Sequence, residues 1–353
     1  MNADSRKPKK RPAFEIGEFE VEAGTRRTVD LPVSVLSDHT PVSMSVHVVH
    51  GARPGPTLFV SAAVHGDEII GVEIARRLLS VDSLDSLRGT LLVIPIVNTF
   101  GFHSHSRYLP DRRDLNRSFP GSARGSLAAR LAQLFMSEVV ARSDYGIDLH
   151  SAAIHRTNLP QIRVSPSHPE TLELAEAFGA PVMLVSSLRD GSLRQAAQKH
   201  NVDILLYEAG EGLRFDEFAA RVGVSGILRV MRRLGMVGPR GVTRPKHRSL
   251  RGGSSTWLRA PAGGLLRAFK TIGDSVQEGD LLGIVSDPFG ERERPVTATS
   301  GGLIIGRSNL PVVNEGDALF HVMQVDPDHA EPALAGMTAE VGRDPLFDED
   351  EII

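Results

Sequence analysis

TLFVSAAVHGDEIIGVEIARRLL, residues 57–79, decides the fold. TLFVSAAV is an apolar run of strand length, and beyond Glu68 the apolar residues recur at helical spacing. A buried strand feeding straight into an amphipathic helix is the unit of an α/β domain. The alternation continues downstream. TLLVIPIVN (90–98), YGIDLH (145–150), PVMLVSS (181–187) and DILLYEAG (203–210) read as strands, while 126–143, SLRQAAQKH (192–200) and 215–235 read as helices. The pattern predicts an α/β fold whose mainly parallel or mixed sheet carries helices on both faces. Upstream, the β-branched runs at 26–36 and 42–51 predict a small antiparallel lead-in.

The pattern breaks at residues 238–255, GPRGVTRPKHRSLRGGSS, which are rich in Gly, Pro and basic residues. Beyond them GGLLRAFKTIGDSVQEGDLLGIV (263–285) is echoed by GGLIIGRSNLPVVNEGDALFHVM (301–323), as expected for a small all-β sandwich or barrel. The expected organisation is therefore a disordered basic tail (1–12), an α/β domain with its β lead-in (13–238), a linker (239–256), a C-terminal β domain (257–326) and an acidic tail (327–353). The repeat resembles the lipoyl and biotinyl carrier fold. A carrier needs a modifiable lysine between the halves, and SDPFGERERPVTATSG (286–301) has none, so a structural or pocket-covering role is expected.

Composition narrows the function. Hydrophobic residues at 41% and charged residues at 24% are globular values, and a net charge of -3 favours neither nucleic acid nor an anionic membrane as partner. A small molecule is the natural partner, and a homo-oligomer is compatible with the sequence. There is no cysteine, so a metal would rest on imidazole and carboxylate. No signal peptide follows the basic N-terminus and no run of about 18 apolar residues occurs, so the chain reads as cytoplasmic and soluble.

Three strand ends carry the chemistry. His65 and Glu68 follow the first strand, His150 ends YGIDLH, and Glu208 follows DILLY. In open α/β sheets ligands bind beyond the carboxyl ends of strands. His65, Glu68 and His150 make a two-His-one-carboxylate zinc site, with Glu208 left to move a proton; this set suits water attack on an amide or ester carbonyl. Asp148 is placed to orient His150 or a neighbour. The long loop NTFGFHSHSRYLPDRRDLNRSFPG (98–121) supplies arginines for an oxyanion or a carboxylate, and its His103-x-His105 pair is a weaker metal candidate.

With HGDE (65–68), DLNR (114–117), DLH (148–150) and YEAGEG (207–212) in this order, the chain resembles the succinylglutamate desuccinylase and aspartoacylase family, which is related to zinc carboxypeptidases. The resemblance spans roughly residues 40–325 and implies one Zn2+ on His65, Glu68 and His150. It implies Glu208 as general acid/base, and Asn116 with Arg117 as binders of a substrate carboxylate. It implies Arg107 as the group that polarises the scissile carbonyl, with Arg112 and Arg113 as alternatives because this segment is longer than in close relatives. The expected activity is hydrolysis of an N-acyl amino acid or similar small carboxylate-bearing amide. A metallocarboxypeptidase and a non-catalytic binding protein on the same scaffold are the rival readings.

Overall fold

The computed structural model describes residues 11–165 and 169–341. Residues 1–10 of the basic tail and 342–353 of the acidic tail lie outside the described residues. At the basic end Arg11 donates to the Gly51 and Gly89 carbonyls at 3.0 and 2.7 Å. Toward the acidic end Pro327–Val341 is a helix that lays Ala330 and Leu334 on Leu303 and Met323.

The main sheet contains β1 (Thr25–Val35), β2 (Pro41–His50), β3 (Arg53–Ala62), β4 (Arg88–Ile94), β5 (Tyr145–His150), β6 (Arg156–Val164), β7 (Val182–Val185), β8 (Asp203–Gly210), β9 (Ser255–Arg259), β10 (Gly302–Ser308) and β11 (Ala318–Met323). Their order is β9-β11-β10-β6-β8-β5-β3-β4-β2-β1, with β7 on the edge of β6. β4, β3, β5 and β8 run parallel, the arms on either side continue antiparallel, and β7 lies parallel to β6. The sheet is thus mixed. The lead-in strands β1 and β2 pair as the antiparallel arm that their alternation predicts.

Period-2 alternation splits each central strand between two apolar layers. Leu58, Val60 and Ala62 of β3 pack beneath α1 (Ile70–Leu79) and Ala219–Met231 of the helix Glu217–Arg233, while Phe59 faces Phe135 of α2 (Leu127–Glu138) on the other side. One glycine controls how close α1 lies. A Cβ at Gly71 would stand 2.7 Å from the Ala62 Cβ and 2.8 Å from the Leu149 Cβ, so only glycine lets α1 rest directly on β3 and β5. That contact brings Glu68, just ahead of α1, against the end of β5.

The two C-terminal repeats divide between two sheets, each lending a short strand to the other: Ser275–Val276 of the first pairs with β10 in the main sheet, and Val312–Val313 of the second joins the small one. Strands of the first, Gly264–Ala268 and Leu281–Ser286, join Glu293–Thr297 and Val312–Val313 in a four-stranded sheet. Strands of the second are β10 and β11, which continue the main sheet. Leu266, Leu282, Val285, Ile304, Leu319 and Phe320 fill the space between the sheets. The β sandwich therefore shares one sheet with the α/β part, β10 pairing with β6 at Gly306 and Asn158.

Candidate metal centre and active site

HGDE folds as a turn. The Glu68 amide donates to the His65 carbonyl at 3.1 Å, which turns the two side chains toward each other before α1 begins at Ile70. Gly66 makes this turn possible, since a Cβ there would lie 1.9 Å from the backbone carbon of Gly101. His150 reaches the same point from β5.

The resulting contacts are short and buried. His65 Nδ1 is 2.7 Å from Glu68 Oε1, and His150 Nδ1 is 2.7 Å from Glu68 Oε2. Donor atoms of the three residues lie within 4.8 Å of one another. The outer imidazole nitrogens are occupied: His65 Nε2 meets Asp114 Oδ1 at 3.1 Å, and His150 Nε2 meets Asp148 Oδ2 at 2.7 Å. A carboxylate at each Nε2 keeps a proton there, so Nδ1 is the nitrogen that would give its lone pair to a metal once its own proton has left, the usual support of a histidine metal ligand. Two nitrogens, one carboxylate and an open side match the donor set of a catalytic zinc site. Asp148, two residues before His150 and so on the same face of β5, also accepts from Ser61 at 2.7 Å.

Electrostatics follow the same geometry. Burial would raise the Glu68 carboxyl, but the His65 and His150 charges outweigh it and hold it far below the ordinary range. Burial would lower His150, yet Asp148 and Glu68 drive it well above its ordinary value, and His65 is raised against burial by Glu68 and Asp114. The cluster favours positive charge at its centre.

Glu208 sits beside His150 in the parallel register of β8 and β5. Its Oε2 is 2.9 Å from an Arg163 guanidinium nitrogen and accepts from Asn158 Nδ2 at 3.0 Å. Arg107 donates to Glu68 at 3.1 Å and Asp114 at 3.1 Å, which places it against the His65, Glu68 and His150 cluster. Of the two alternatives to Arg107, Arg112 and Arg113 are both exposed, and neither lines the cavity. Asn116 is anchored by its Oδ1, which accepts from the Leu193 amide at 2.9 Å, and Arg117 stands exposed beside it. Among the described residues His103 and His105 belong to no metal-holding group.

These side chains line one cavity of about 190 Å³. Arg107, Arg117, Arg156, Arg163, Arg189 and Arg194 face it against three carboxylates, Glu68, Asp148 and Glu208. Among the described residues Arg117, Arg156, Arg189 and Arg194 pair with no carboxylate. Trp257 of β9 closes one wall. Its ring stacks on His321 with centroids 4.7 Å apart, and the Arg156 guanidinium carbon lies 5.5 Å from its centroid. Asp114, Asn158, Arg163, Arg194 and Trp257 were not singled out from the sequence. Asp114 was within reach as the first residue of DLNR; the others join the site only through strand pairing and loop packing.

Fold and donor set together define an α/β protein with a three-donor cluster able to hold a metal ion at the carboxyl ends of its parallel strands. More narrowly, the chain belongs to the succinylglutamate desuccinylase/aspartoacylase family, whose catalytic-domain model matches residues 54–234. It is 28% identical over 326 residues to an N-alpha-acetyl-L-2,4-diaminobutyric acid deacetylase of Halomonas elongata, covering 87% of this chain and 94% of that one. It is 28% identical over 250 residues to a succinylglutamate desuccinylase of Burkholderia pseudomallei, 64% of each chain. A product-bound ectoine utilization protein of Ruegeria pomeroyi superposes with a TM-score of 0.78 at 22% identity, covering 91% of this chain and all of that one, and shares the fold.

Proposed function

We propose that the protein is a zinc-dependent hydrolase that cleaves the amide bond of an N-acyl amino acid or a similar small, carboxylate-bearing amide. The observation that carries this reading is the convergence of His65 Nδ1, His150 Nδ1 and the Glu68 carboxylate beside Glu208, which lines the same cavity. The names of the Halomonas and Burkholderia relatives, both hydrolases of acylated amino acids, point the same way.

His65, Glu68 and His150 would hold the ion. When bound, zinc supplies a Lewis acid and lowers the pKa of water toward neutrality. Glu208 takes a proton from the attacking water and passes it to the departing nitrogen. Arg107, beside the cluster, stabilises the oxyanion as it forms. Asn116 and Arg117 engage the substrate carboxylate, Arg117 through the fork geometry that suits such a group. The four cavity arginines that pair with no carboxylate among the described residues favour an anionic substrate. The cavity lies below the roughly 300–1,000 Å³ common for ligand sites, which suits a small acylated amino acid better than the end of a peptide.

The test is Glu208→Gln. The variant should bind zinc as the parent does and lose turnover by about 10²–10⁴-fold, the usual worth of general acid–base catalysis. A variant of parental activity on a panel of N-acetyl, N-succinyl and peptide substrates removes Glu208 from the reaction.

A further inference from the structure

Glu208 differs from an ordinary cavity carboxylate in how unevenly its two oxygens are used. Oε2 carries both contacts, Arg163 at 2.9 Å and Asn158 at 3.0 Å, whereas Oε1 has no partner among the described residues. The backbone is irregular at the same place. The register of β8 against β6 shifts between Glu208 and Gly210, and Gly210 takes a φ of 71°. Three steps on β6, from Gln161 to Asn158, face two on β8, so the extra residue lies on the strand that carries Asn158, and a bulge of this kind re-aims a side chain.

Asn158 owes its place to a strand of the C-terminal β domain. Along one row of the sheet Trp257 pairs with His321, His321 with Gly306, and Gly306 with Asn158. A Cβ on Gly306 would lie 2.7 Å from Asn158 Oδ1 and 3.4 Å from the His321 Cβ. The first distance is too short for the asparagine amide to stay where it is. His321 is buried and cannot move aside freely, since its Nε2 is 2.9 Å from Ser255 Oγ and its ring is stacked on Trp257.

Granting the hydrolase reading above, we propose that Arg163 and Asn158 are positioning residues that clamp Glu208 by Oε2 and present Oε1 alone to the reacting water, and that Gly306 keeps the Asn158 half of the clamp in place. A glutamate has three rotatable torsions, and fixing one oxygen at two donors of different strand positions leaves the carboxylate a single orientation. The free oxygen then always faces the cavity. The C-terminal β domain thereby contributes to the chemical step without touching substrate through Gly306.

Asn158→Ala, Arg163→Met and Arg163→Lys are compared with the parent, all zinc-loaded, by steady-state kinetics and metal content. Misplacing a reacting group by about 1 Å costs on the order of a hundredfold, so kcat should fall about 10–100-fold for Asn158→Ala and Arg163→Met. KM and zinc content should stay within about twofold. Arg163→Lys, which keeps a donor, should recover part of the loss. Gly306→Ala should lower kcat in the same direction, and combining it with Asn158→Ala should add nothing further, because both act through one contact. A loss shared equally between kcat and KM, no rescue by lysine, or an additive Gly306 effect overturns the clamp. A crystal structure of Asn158→Ala reads the orientation of Glu208 without turnover. If the carboxylate has not rotated, the clamp fails while the hydrolase reading stands. If it has rotated but the parent cleaves no amide, the clamp stands and the hydrolase reading fails.

Discussion

Replacing Asp148 should loosen the proposed zinc site by an amount that depends on which of its two bonds survives. Its Oδ2 lies 2.7 Å from His150 Nε2 and its Oδ1 accepts from Ser61 at 2.7 Å, with all three side chains buried. Asp148→Asn is isosteric. The amide oxygen still accepts from the imidazole and the amide nitrogen can donate to the Ser61 hydroxyl, so only the negative charge is lost. Partners of ligating histidines are worth about 10–100-fold in metal affinity, and losing charge alone belongs at the lower end, about tenfold, or about 1.4 kcal/mol. Asp148→Ala removes both bonds and frees the imidazole to turn, which belongs at the upper end, about a hundredfold or about 2.7 kcal/mol. It also strands a buried hydroxyl and a buried ring N–H, each costing about 1–3 kcal/mol of stability. Zinc competition against a chromophoric chelator reads the affinities, and urea unfolding of the metal-free proteins reads the stability. If Asp148→Ala holds zinc within twofold of the parent, His150 is not oriented by Asp148.

Two further outcomes follow from the same structure. Burial, then the Arg163 charge, pull the folded-state His321 down to about 3, so between pH 6.5 and about 3 the unfolded chain binds a proton that the folded chain does not. Stability tied to His321 is present above pH 6.5 and is lost as the pH falls. His321→Phe keeps a ring on Trp257 and should flatten the acid side of a urea-midpoint profile taken from pH 7 to pH 4; parallel profiles would contradict this. Gly66→Ala places a methyl within 1.9 Å of backbone between two of the three proposed ligands, so it should lower the melting temperature and abolish stoichiometric zinc binding. Parental zinc content in that variant would show that the turn can open without cost.

The sequence was most legible where a local pattern carries the structure. The run from Thr57 to Leu79 is apolar at strand length and then recurs at helical spacing, so β3 and α1 could be read directly. Glu68, expected in the first turn of the helix, instead lies in a turn ahead of it, because α1 begins at Ile70. His65, Glu68, His150 and Glu208 were legible for a related reason: each follows an apolar strand, and strand ends share one side of a parallel sheet. Partners arriving from a distance were not. Asp114 reaches His65 from a loop with no regular period, and Asn158 and Arg163 reach Glu208 across an antiparallel pairing whose register no local pattern specifies. The separation of the repeats had the same cause. GGLLRAFK and GGLIIGRS look alike, yet the first pairs within the small sheet while the second prolongs the main one along β6. Trp257 had no signal at all, being a lone aromatic on a short strand that the sheet carries to the cavity wall.

The continuity of the sheet from β6 through β10 and β11 to β9 also bears on how such a protein can change. A lid attached by a hinge can be exchanged whole, since its removal leaves the body intact. Here, deleting the C-terminal segment would expose the hydrogen-bonding edge of β6 at residues 156–158 and take away Trp257 together with the strand behind Asn158. A replacement for this segment would therefore have to bring a strand that pairs with β6 at those residues, as well as side chains to rebuild the cavity wall.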